Sequence, residues 1–167
     1  MKIPVFVSCP SALSENQELS KKTILKEMSK NGLEPRQLGK SDYPTESPLK
    51  EVLSIAKHCA GGIILGFEQI RIEIGTLKPN TNLETKIKKR IKMPTEWNHL
   101  EAGILFSLNL PILVFKEDEI EGGVFDHGVT DVFIHKMPNA SLSRSEREIF
   151  TSIFLKWQSE VRYKYYN

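Results

Sequence analysis

The chain of 167 residues has the length of one domain, and its 40% hydrophobic and 26% charged residues are typical of a globular protein. Its net charge of +2 is too small to favour nucleic acid as the main partner, so any basic partner site must be local. The sequence has no run of about 18 apolar residues and no basic start followed by an apolar block. We therefore expect neither a membrane span nor a signal peptide, and a cytoplasmic location.

The first half of the chain alternates apolar runs with amphipathic segments. Ser14 and Gln17 have the spacing of a capping box, and Gly32 stands where a left-handed residue commonly ends a helix. Ser47-Pro48 marks the start of a second helix, because serine is a preferred cap and proline fits the first turn. Short apolar runs around these helices predict buried strands at residues 2–8, 33–38 and 61–67.

Residues 68–94 break this pattern. Gly75, Pro79 and two asparagines interrupt any regular element, and five of the seven residues 86–92 are basic. A long segment without regular structure inside a compact domain is usually functional or mobile. We expect a flexible basic insertion here, within a single domain that spans residues 1–167.

The second half of the chain returns to helices and strands. Thr95 can cap one helix, and Ser143 with Glu146 forms a second capping box that begins the last helix. Strands are predicted at residues 111–115 and 132–134. Apolar residues at helical spacing predict the buried faces of the two helices: Leu100, Ile104 and Leu108 in the first, and Ile149, Ile153, Trp157 and Val161 in the second.

The alternation of strand and helix predicts an α/β fold. We expect a flavodoxin-like, five-stranded, mainly parallel sheet with helices on both faces. In such sheets ligands bind beyond the carboxyl ends of the strands. This rule brings the loop of residues 8–14, the loop after Phe67 and the start of the helix that contains Glu101 to one crevice.

One carboxylate at the rim of that crevice is the main candidate for chemistry. Glu101 could attack, or stabilise, the cationic sugar carbon that forms when an N-glycosidic bond breaks, or it could be a solvated helix acid. Trp97 could stack on a base or belong to the core. His99 could act as an acid or base, or it could be a structural residue.

The other candidates each have two interpretations, a ligand contact or a local structural role. The serines of the first loop could hold a sugar hydroxyl or a phosphate: Ser8, Ser11 and Ser14. Part of the basic cluster could meet a phosphate: Lys88, Lys89 and Arg90. Further substrate contacts are considered at Cys9, Leu13, Asp42, Phe67, Asn98 and Phe125, and at Asp126 and Asp131, which could also be turn residues.

Motifs of several other enzyme classes are absent. The sequence has no Gly-x-Gly-x-x-Gly after the first strand, no Walker-type Gly-Lys-Ser/Thr, no Gly-x-Ser-x-Gly elbow and no His-Glu-x-x-His. Ordinary dinucleotide redox enzymes, P-loop enzymes, esterases with that elbow and zinc proteases are therefore disfavoured. Cys9 and Cys59 match no metal-ligand spacing, so we expect packed cysteines and neither a metal nor a cofactor.

Three segments spread along the chain carry a family resemblance: residues 5–17, then Leu100-Glu101-Ala102-Gly103 followed by Leu110-Pro111, then Gly128-Val129-Thr130-Asp131 with Ile134 and Lys136-Met137. They resemble the first strand with its substrate loop, the helix with the nucleophilic glutamate, and the late loop with its edge strand in the nucleoside 2-deoxyribosyltransferase family. The resemblance implies a flavodoxin-like fold, Glu101 as nucleophile, and cleavage of a base from a sugar at the anomeric carbon. It also implies a homo-oligomer, because members of this family complete each site with residues of a neighbouring subunit.

Two departures and two related families leave the substrate open. The family usually has an aspartate where this chain has Thr95, and a substrate-binding asparagine where it has Gly123. Nucleoside monophosphate glycosidases are similar to this family, and the basic insertion would suit a 5′-phosphate. TIR-type NAD hydrolases share the fold plan, and Trp97-x-x-x-Glu101 is similar to their Trp-x-x-x-Glu pattern. The expected substrate is a nucleoside, a nucleotide or NAD. A non-catalytic nucleotide sensor is the alternative of a different class, and a protein-interaction domain is the third.

Overall fold

The computed structural model describes residues 2–39, 47–130 and 133–167. No helix in these residues is long and apolar enough to cross a lipid bilayer. In chain order the elements are β1 (Ile3–Ser8), α1 (Glu15–Lys30), β2 (Leu33–Arg36), α2 (Pro48–Lys57), β3 (Gly62–Gly66), β4 (Ile70–Ile72), β5 (Thr76–Leu77), β6 (Thr85–Lys86), β7 (Ile91–Met93), α3 (Glu96–Ser107), β8 (Ile112–Lys116), a 3-10 turn (Gly123–Phe125), β9 (Phe133–Lys136) and α4 (Arg144–Tyr166).

Five of these strands form one sheet in the order β2-β1-β3-β8-β9. All neighbouring strands in it are parallel; Ile63 of β3, for example, pairs with Leu113 of β8. The flavodoxin-like α/β fold is confirmed, and the sheet is entirely rather than mainly parallel. Strand β9 extends to Lys136 and is thus longer than predicted, while Val132 lies outside the described residues.

Helices cover both faces of the sheet, as expected. Alternate residues of β1 point to opposite faces, so Val5 packs with apolar residues of α1 and α4, and Phe6 packs with apolar residues of α2 and α3. Gly62 of β3 matters for the second layer, because a Cβ atom there would collide with Leu105 of α3. The glycine lets α3 lie close to the sheet, and α3 is the helix that carries Glu101.

All four predicted helix starts are present, and three of them have a side-chain capping hydrogen bond. Both capping boxes form: the Gln17 backbone N–H donates to Ser14 Oγ at 3.3 Å, and the Ser143 backbone N–H donates to Glu146 Oε2 at 2.8 Å. The Thr95 cap of α3 forms as well. Ser47 is the residue before α2, but its side chain makes no capping hydrogen bond.

The buried face of α4 differs from the predicted one. Trp157 and Val161 are buried as expected, but Ile149 is 62% exposed, and Phe150 and Phe154 occupy the core instead. Both sets of residues have helical spacing, so periodicity alone does not separate them. The larger aromatic rings bury more apolar surface and contact each other with ring centres 5.7 Å apart, which favours this rotation of the helix.

Residues 68–94 are not structureless, and that expectation is wrong. Strand β4 pairs with β7, and β5 pairs with β6, both antiparallel, so the segment contains two short two-stranded sheets, the second nested within the first in sequence. We call residues 68–94 the arm. Isoleucines alternate with basic residues at its base, where Arg71 lies opposite Lys92, and this period of two is typical of a strand. Each ladder has only two or three residue pairs, which is why the pattern is weak in the sequence.

Candidate active site

A cavity of about 270 Å³ lies where the carboxyl ends of the central strands meet the start of α3. Its walls come from the end of β1 and its loop, the residues after β2, the base of the arm and the first turns of α3: Val7, Cys9, Pro10, Ser11, Gln37, Leu38, Gln69, Thr95, Trp97 and Glu101. The expected crevice is therefore present, at the edge of the sheet where parallel folds bind ligands. Among the described residues that line it, Glu101 is the only one with a carboxyl group.

The register of α3 brings Glu101 into this cavity. Thr95 accepts a hydrogen bond at its Oγ1 from the Trp97 backbone N–H at 3.3 Å, so the helix begins where the sequence predicts. The buried face consists of Asn98, Ala102 and Leu105. Glu101 follows Asn98 by three residues and precedes Leu105 by four, so it lies next to this face and is partly buried at its border.

The predicted apolar stripe of α3 is wrong in one respect. Leu100 is 49% exposed, and Ile104 and Leu108 are only partly buried. The helix packs Leu105 against Gly62 of β3 instead, and with this rotation Leu100 points outward.

A hydrogen-bond network links Glu101 to the last residue of β1. Ser8 is fully buried, and its Oγ accepts a hydrogen bond from Asn98 Nδ2 at 2.8 Å. The Ser8 hydroxyl has one proton, and it bonds to the Glu101 carboxyl group. Asn98 thus orients Ser8, and Ser8 orients Glu101. Asn98 Oδ1 is buried and has no hydrogen-bond partner among the residues that the structure describes.

The site changes the acidity of Glu101. Burial raises the pKa of its carboxyl group from 4.5 to about 7, and the hydrogen bond from Ser8 acts in the opposite direction. A carboxyl group with this pKa is about half ionised at neutral pH. A perturbed pKa in a cleft is typical of functional acids. For Glu101, burial raises the pKa and the hydrogen bond from Ser8 partly offsets that increase.

Substituting Ser8 with alanine is expected to raise the pKa of Glu101 further, because the carboxylate loses the donor that stabilises its charged form. The measurement is a ¹³C NMR titration of labelled glutamate carboxyl groups, with Glu101→Gln used to assign the signal. Ser11→Ala is the matched control, since Ser11 lines the same cavity and is exposed. An unchanged or lower midpoint in Ser8→Ala would show that this hydrogen bond does not tune Glu101.

Several predicted contacts do line the cavity. Cys9, Ser11 and Trp97 are on its wall together with Thr95, and Trp97 is 41% exposed. The tryptophan is therefore not a core residue, and its ring is available to a ligand. Ser8 and Asn98 lie behind the wall and act on it through Glu101. The expected roles of these residues in binding stay predictions.

Other predicted contacts lie away from the cavity. Phe67 and Phe125 are fully buried core residues, and Leu13 packs against the core beside α1. Their size suits a hydrophobic core, and none of the three lines the cavity. Among the polar candidates, Ser14 is engaged in its capping box, and Asp126 accepts a hydrogen bond from the Gly122 backbone N–H at 2.8 Å, as a turn residue does.

The remaining candidates are in three other places. Lys88 and Lys89 are exposed on the arm, and Arg90 lies 3.7 Å from Glu119 in an ion pair, so none of the three lines the cavity. His99 lines a neighbouring cavity of about 250 Å³ on the other side of α3. The positions of Asp42 and Asp131 lie outside the described residues.

Two glutamines of the cavity were missed by the sequence analysis. Gln37 Nε2 donates to the Cys9 carbonyl oxygen at 2.9 Å, and Gln69 Nε2 donates to the Ala12 carbonyl oxygen at 3.1 Å. Both hold the loop after β1 in place. Gln37 directly follows β2 and Gln69 follows β3 by three residues, so the rule that ligands bind at strand ends was the signal that could have found them.

A second carboxylate at this edge of the sheet has a structural role. Glu117 directly follows β8 and accepts a hydrogen bond from the Glu68 backbone N–H at 2.6 Å. Gln17 Nε2 donates to both of its carboxylate oxygens, at 3.2 and 3.1 Å. Since these donors occupy Glu117, Glu101 is the acid of this edge that faces the cavity.

Gly123 has a structural explanation of its own. Its φ of +57° is in the left-handed region, and a Cβ atom would lie 2.7 Å from the His99 ring. An asparagine would be strained there. Gly123 therefore offers no side chain for the ligand contact that the resemblance implies at this position.

Comparisons with models of protein families and with characterised proteins find no match for this sequence. The described residues also contain no group of three or more His, Cys, Asp or Glu side chains that could hold a metal ion. The chemistry of the cavity is therefore the basis for assigning a function.

Proposed function

We propose that this protein is an N-glycosidase or N-glycosyl transferase that cleaves the bond between base and sugar in a nucleoside or nucleotide. One observation carries the proposal: a partly buried carboxyl group, Glu101, faces a cavity at the carboxyl edge of a parallel sheet beside the exposed ring of Trp97. Cleavage of an N-glycosidic bond develops positive charge on the anomeric carbon. A carboxylate is suited to attack or stabilise that carbon.

In the proposed reaction, the Glu101 carboxylate forms a bond to the anomeric carbon while the carbon–nitrogen bond to the base breaks. The base leaves with the bonding electron pair; the base of a nucleoside or nucleotide then takes a proton from water, whereas the nicotinamide of NAD leaves as a neutral molecule. Water or a second base then attacks the same carbon and releases Glu101. Attack by water gives hydrolysis, and attack by a second base gives transfer. Ser8 keeps the carboxyl group oriented through its hydrogen bond.

Trp97 supports stacking on the base, because aromatic rings that are partly exposed bind planar groups on their faces. Trp97 and Glu101 line the same cavity, an arrangement that also favours NAD as a substrate through the Trp-x-x-x-Glu resemblance. The basic residues of the arm do not line the cavity, so they give no support to recognition of a 5′-phosphate there.

Incubation of the protein with nucleosides, nucleoside monophosphates and NAD tests the proposal. The free base, or nicotinamide, is separated by chromatography, and release from at least one substrate is expected. A non-catalytic nucleotide sensor would instead bind one of these compounds in calorimetry without turning it over. Absence of release from every compound would reject the glycosidase.

A homo-oligomer is part of the same proposal. Leu100 and Phe106 of α3 are 49% and 57% exposed, and Gly103 between them has open space above its Cα atom. A glycine inside a helix costs up to about 1 kcal/mol relative to alanine, and no contact with a described residue explains Gly103. A second copy that packs closely on this ridge would explain both features. Light scattering of the purified protein distinguishes a monomer from an oligomer.

A further inference from the structure

The charge of the chain is distributed unevenly. The arm, residues 68–94, contains seven Lys and Arg against three Glu, which is a net charge of +4. The other residues contain sixteen Lys and Arg against eighteen Asp and Glu, a net charge of −2. The small total of +2 thus conceals a strongly basic element on a weakly acidic body.

The basic side chains of the arm divide into two groups. At its base, Arg71 and Lys92 pair with Glu68 of the arm itself, at 2.5 and 3.8 Å. Arg90 and Lys92 also pair with Glu119, at 3.7 and 3.3 Å, and these two ion pairs attach the arm to the body. Farther along, the lysines are exposed and make no ion pair with any residue that the structure describes: Lys78, Lys88 and Lys89.

These lysines lie outside the cavity. Gln69, at the base of the arm, lines the cavity wall, whereas no residue between Ile70 and Pro94 does. A phosphate on a sugar held in the cavity would therefore meet the cavity wall rather than these lysines. The lysines are available to a different anion.

The arm also exposes apolar side chains. Ile74 is 91% exposed, and Leu83 and Leu77 are 59% and 45% exposed. An acidic protein surface would meet the lysines but would leave these side chains in water. Nucleic acid satisfies both features, because its phosphates pair with lysines while its bases and sugars offer apolar faces.

We propose that the arm is a nucleic-acid binding element, in which Lys78, Lys88 and Lys89 contact the phosphodiester backbone and the exposed apolar residues contact bases or sugars. Two-stranded ribbons of this width enter the grooves of a duplex, and exposed basic ribbons also follow single strands. Both forms share the phosphodiester chemistry. Binding by the arm does not require the reaction at Glu101, so it extends the proposed function without depending on it.

Fluorescence anisotropy with labelled nucleic acid tests this proposal on the full chain. The probes are a 20-nucleotide oligo-dT, the corresponding oligo-U and a 20-base-pair duplex, at 50 and 200 mM NaCl, with polyglutamate as a competitor. We expect binding that weakens with salt, and Lys88→Gln combined with Lys89→Gln should weaken binding at least about tenfold at the lower salt concentration. The salt slope should fall by about 0.7 per lysine for single strands and about 0.9 for the duplex.

The matched control is Lys22→Gln combined with Lys26→Gln, which removes two exposed lysines from α1. This control should bind nearly as wild type does, and so should Glu101→Gln, which disables only the proposed reaction. Three results would overturn the proposal. They are no binding of any nucleic acid at 50 mM NaCl, a loss of affinity in the α1 control equal to that in the arm variant, or displacement of the labelled probe by polyglutamate as readily as by the same unlabelled nucleic acid.

Discussion

Replacing Glu101 with glutamine is expected to slow base release at least about a thousandfold, since removal of a nucleophile commonly costs this much or more. Glutamine has nearly the same shape as glutamate but carries no charge and does not attack carbon. The side chain can still accept a hydrogen bond from Ser8, so the cavity should keep its form. Initial rates of base release by the two proteins, at pH 8 and on the substrate with the fastest release, measure the effect.

Glu96→Gln is the control for this loss. Glu96 lies on the same helix, is exposed, and is absent from the cavity wall. Its substitution therefore removes one carboxylate at a position that does not contact the substrate. Its rate should stay within about twofold of wild type. Circular dichroism of both variants excludes unfolding as the cause. Comparable rates in Glu101→Gln and the wild type would remove Glu101 from the reaction.

The same substitution is expected to stabilise the folded protein at high pH. The pKa of Glu101 is about 7 in the folded chain and 4.5 at its ordinary value, so the folded state binds the proton more tightly. The favourable contribution of the protonated group is fully present below pH 4.5 and is lost as pH rises through 7. Over this range the wild type loses about 3 kcal/mol that the glutamine variant keeps.

Urea unfolding of both proteins at pH 4.5 and pH 8 tests this expectation. The free energy of unfolding of Glu101→Gln minus that of the wild type should increase by about 3 kcal/mol between the two pH values. Using the change between pH values cancels effects of glutamine that do not depend on pH. Glu96→Gln should show no comparable increase. A difference that is constant with pH would mean that Glu101 is not desolvated by the fold.

A gain in stability together with a loss of activity would be informative as a pair. Functional groups are often held in environments that destabilise the folded state, and their removal then raises stability. A structural acid would behave differently, because its substitution usually lowers stability. Glu101 should combine both effects if burial of the acid serves the reaction.

Elements with strong local signals were predictable from the sequence. The continuous apolar runs of β1, β3 and β8, together with the capping boxes of α1 and α4, predicted the parallel sheet and its helices. Because ligands bind beyond the carboxyl ends of parallel strands, Glu101 was then predicted at the crevice. These features follow from composition and spacing over a few residues, which is the range on which sequence patterns carry information.

Features that depend on distant contacts were not predictable. The rotation of α3 is determined by Gly62 and Leu105, which are far apart in sequence, and that of α4 by packing of Phe150 and Phe154. The arm consists of ladders with two or three pairs, too short for a periodic pattern. Ser8 becomes important only because Asn98, ninety residues later, orients its hydroxyl.

The role of Glu101 as an ionised nucleophile is best examined through the pH dependence of kcat/KM, measured on the substrate that releases its base fastest. Because the carboxyl group must lose its proton before it attacks, the rate should rise with pH and reach half of its plateau near pH 7. At pH 5 it should be about one hundredth of the plateau. A rate that is flat across this range, or that falls with rising pH, would contradict the assignment.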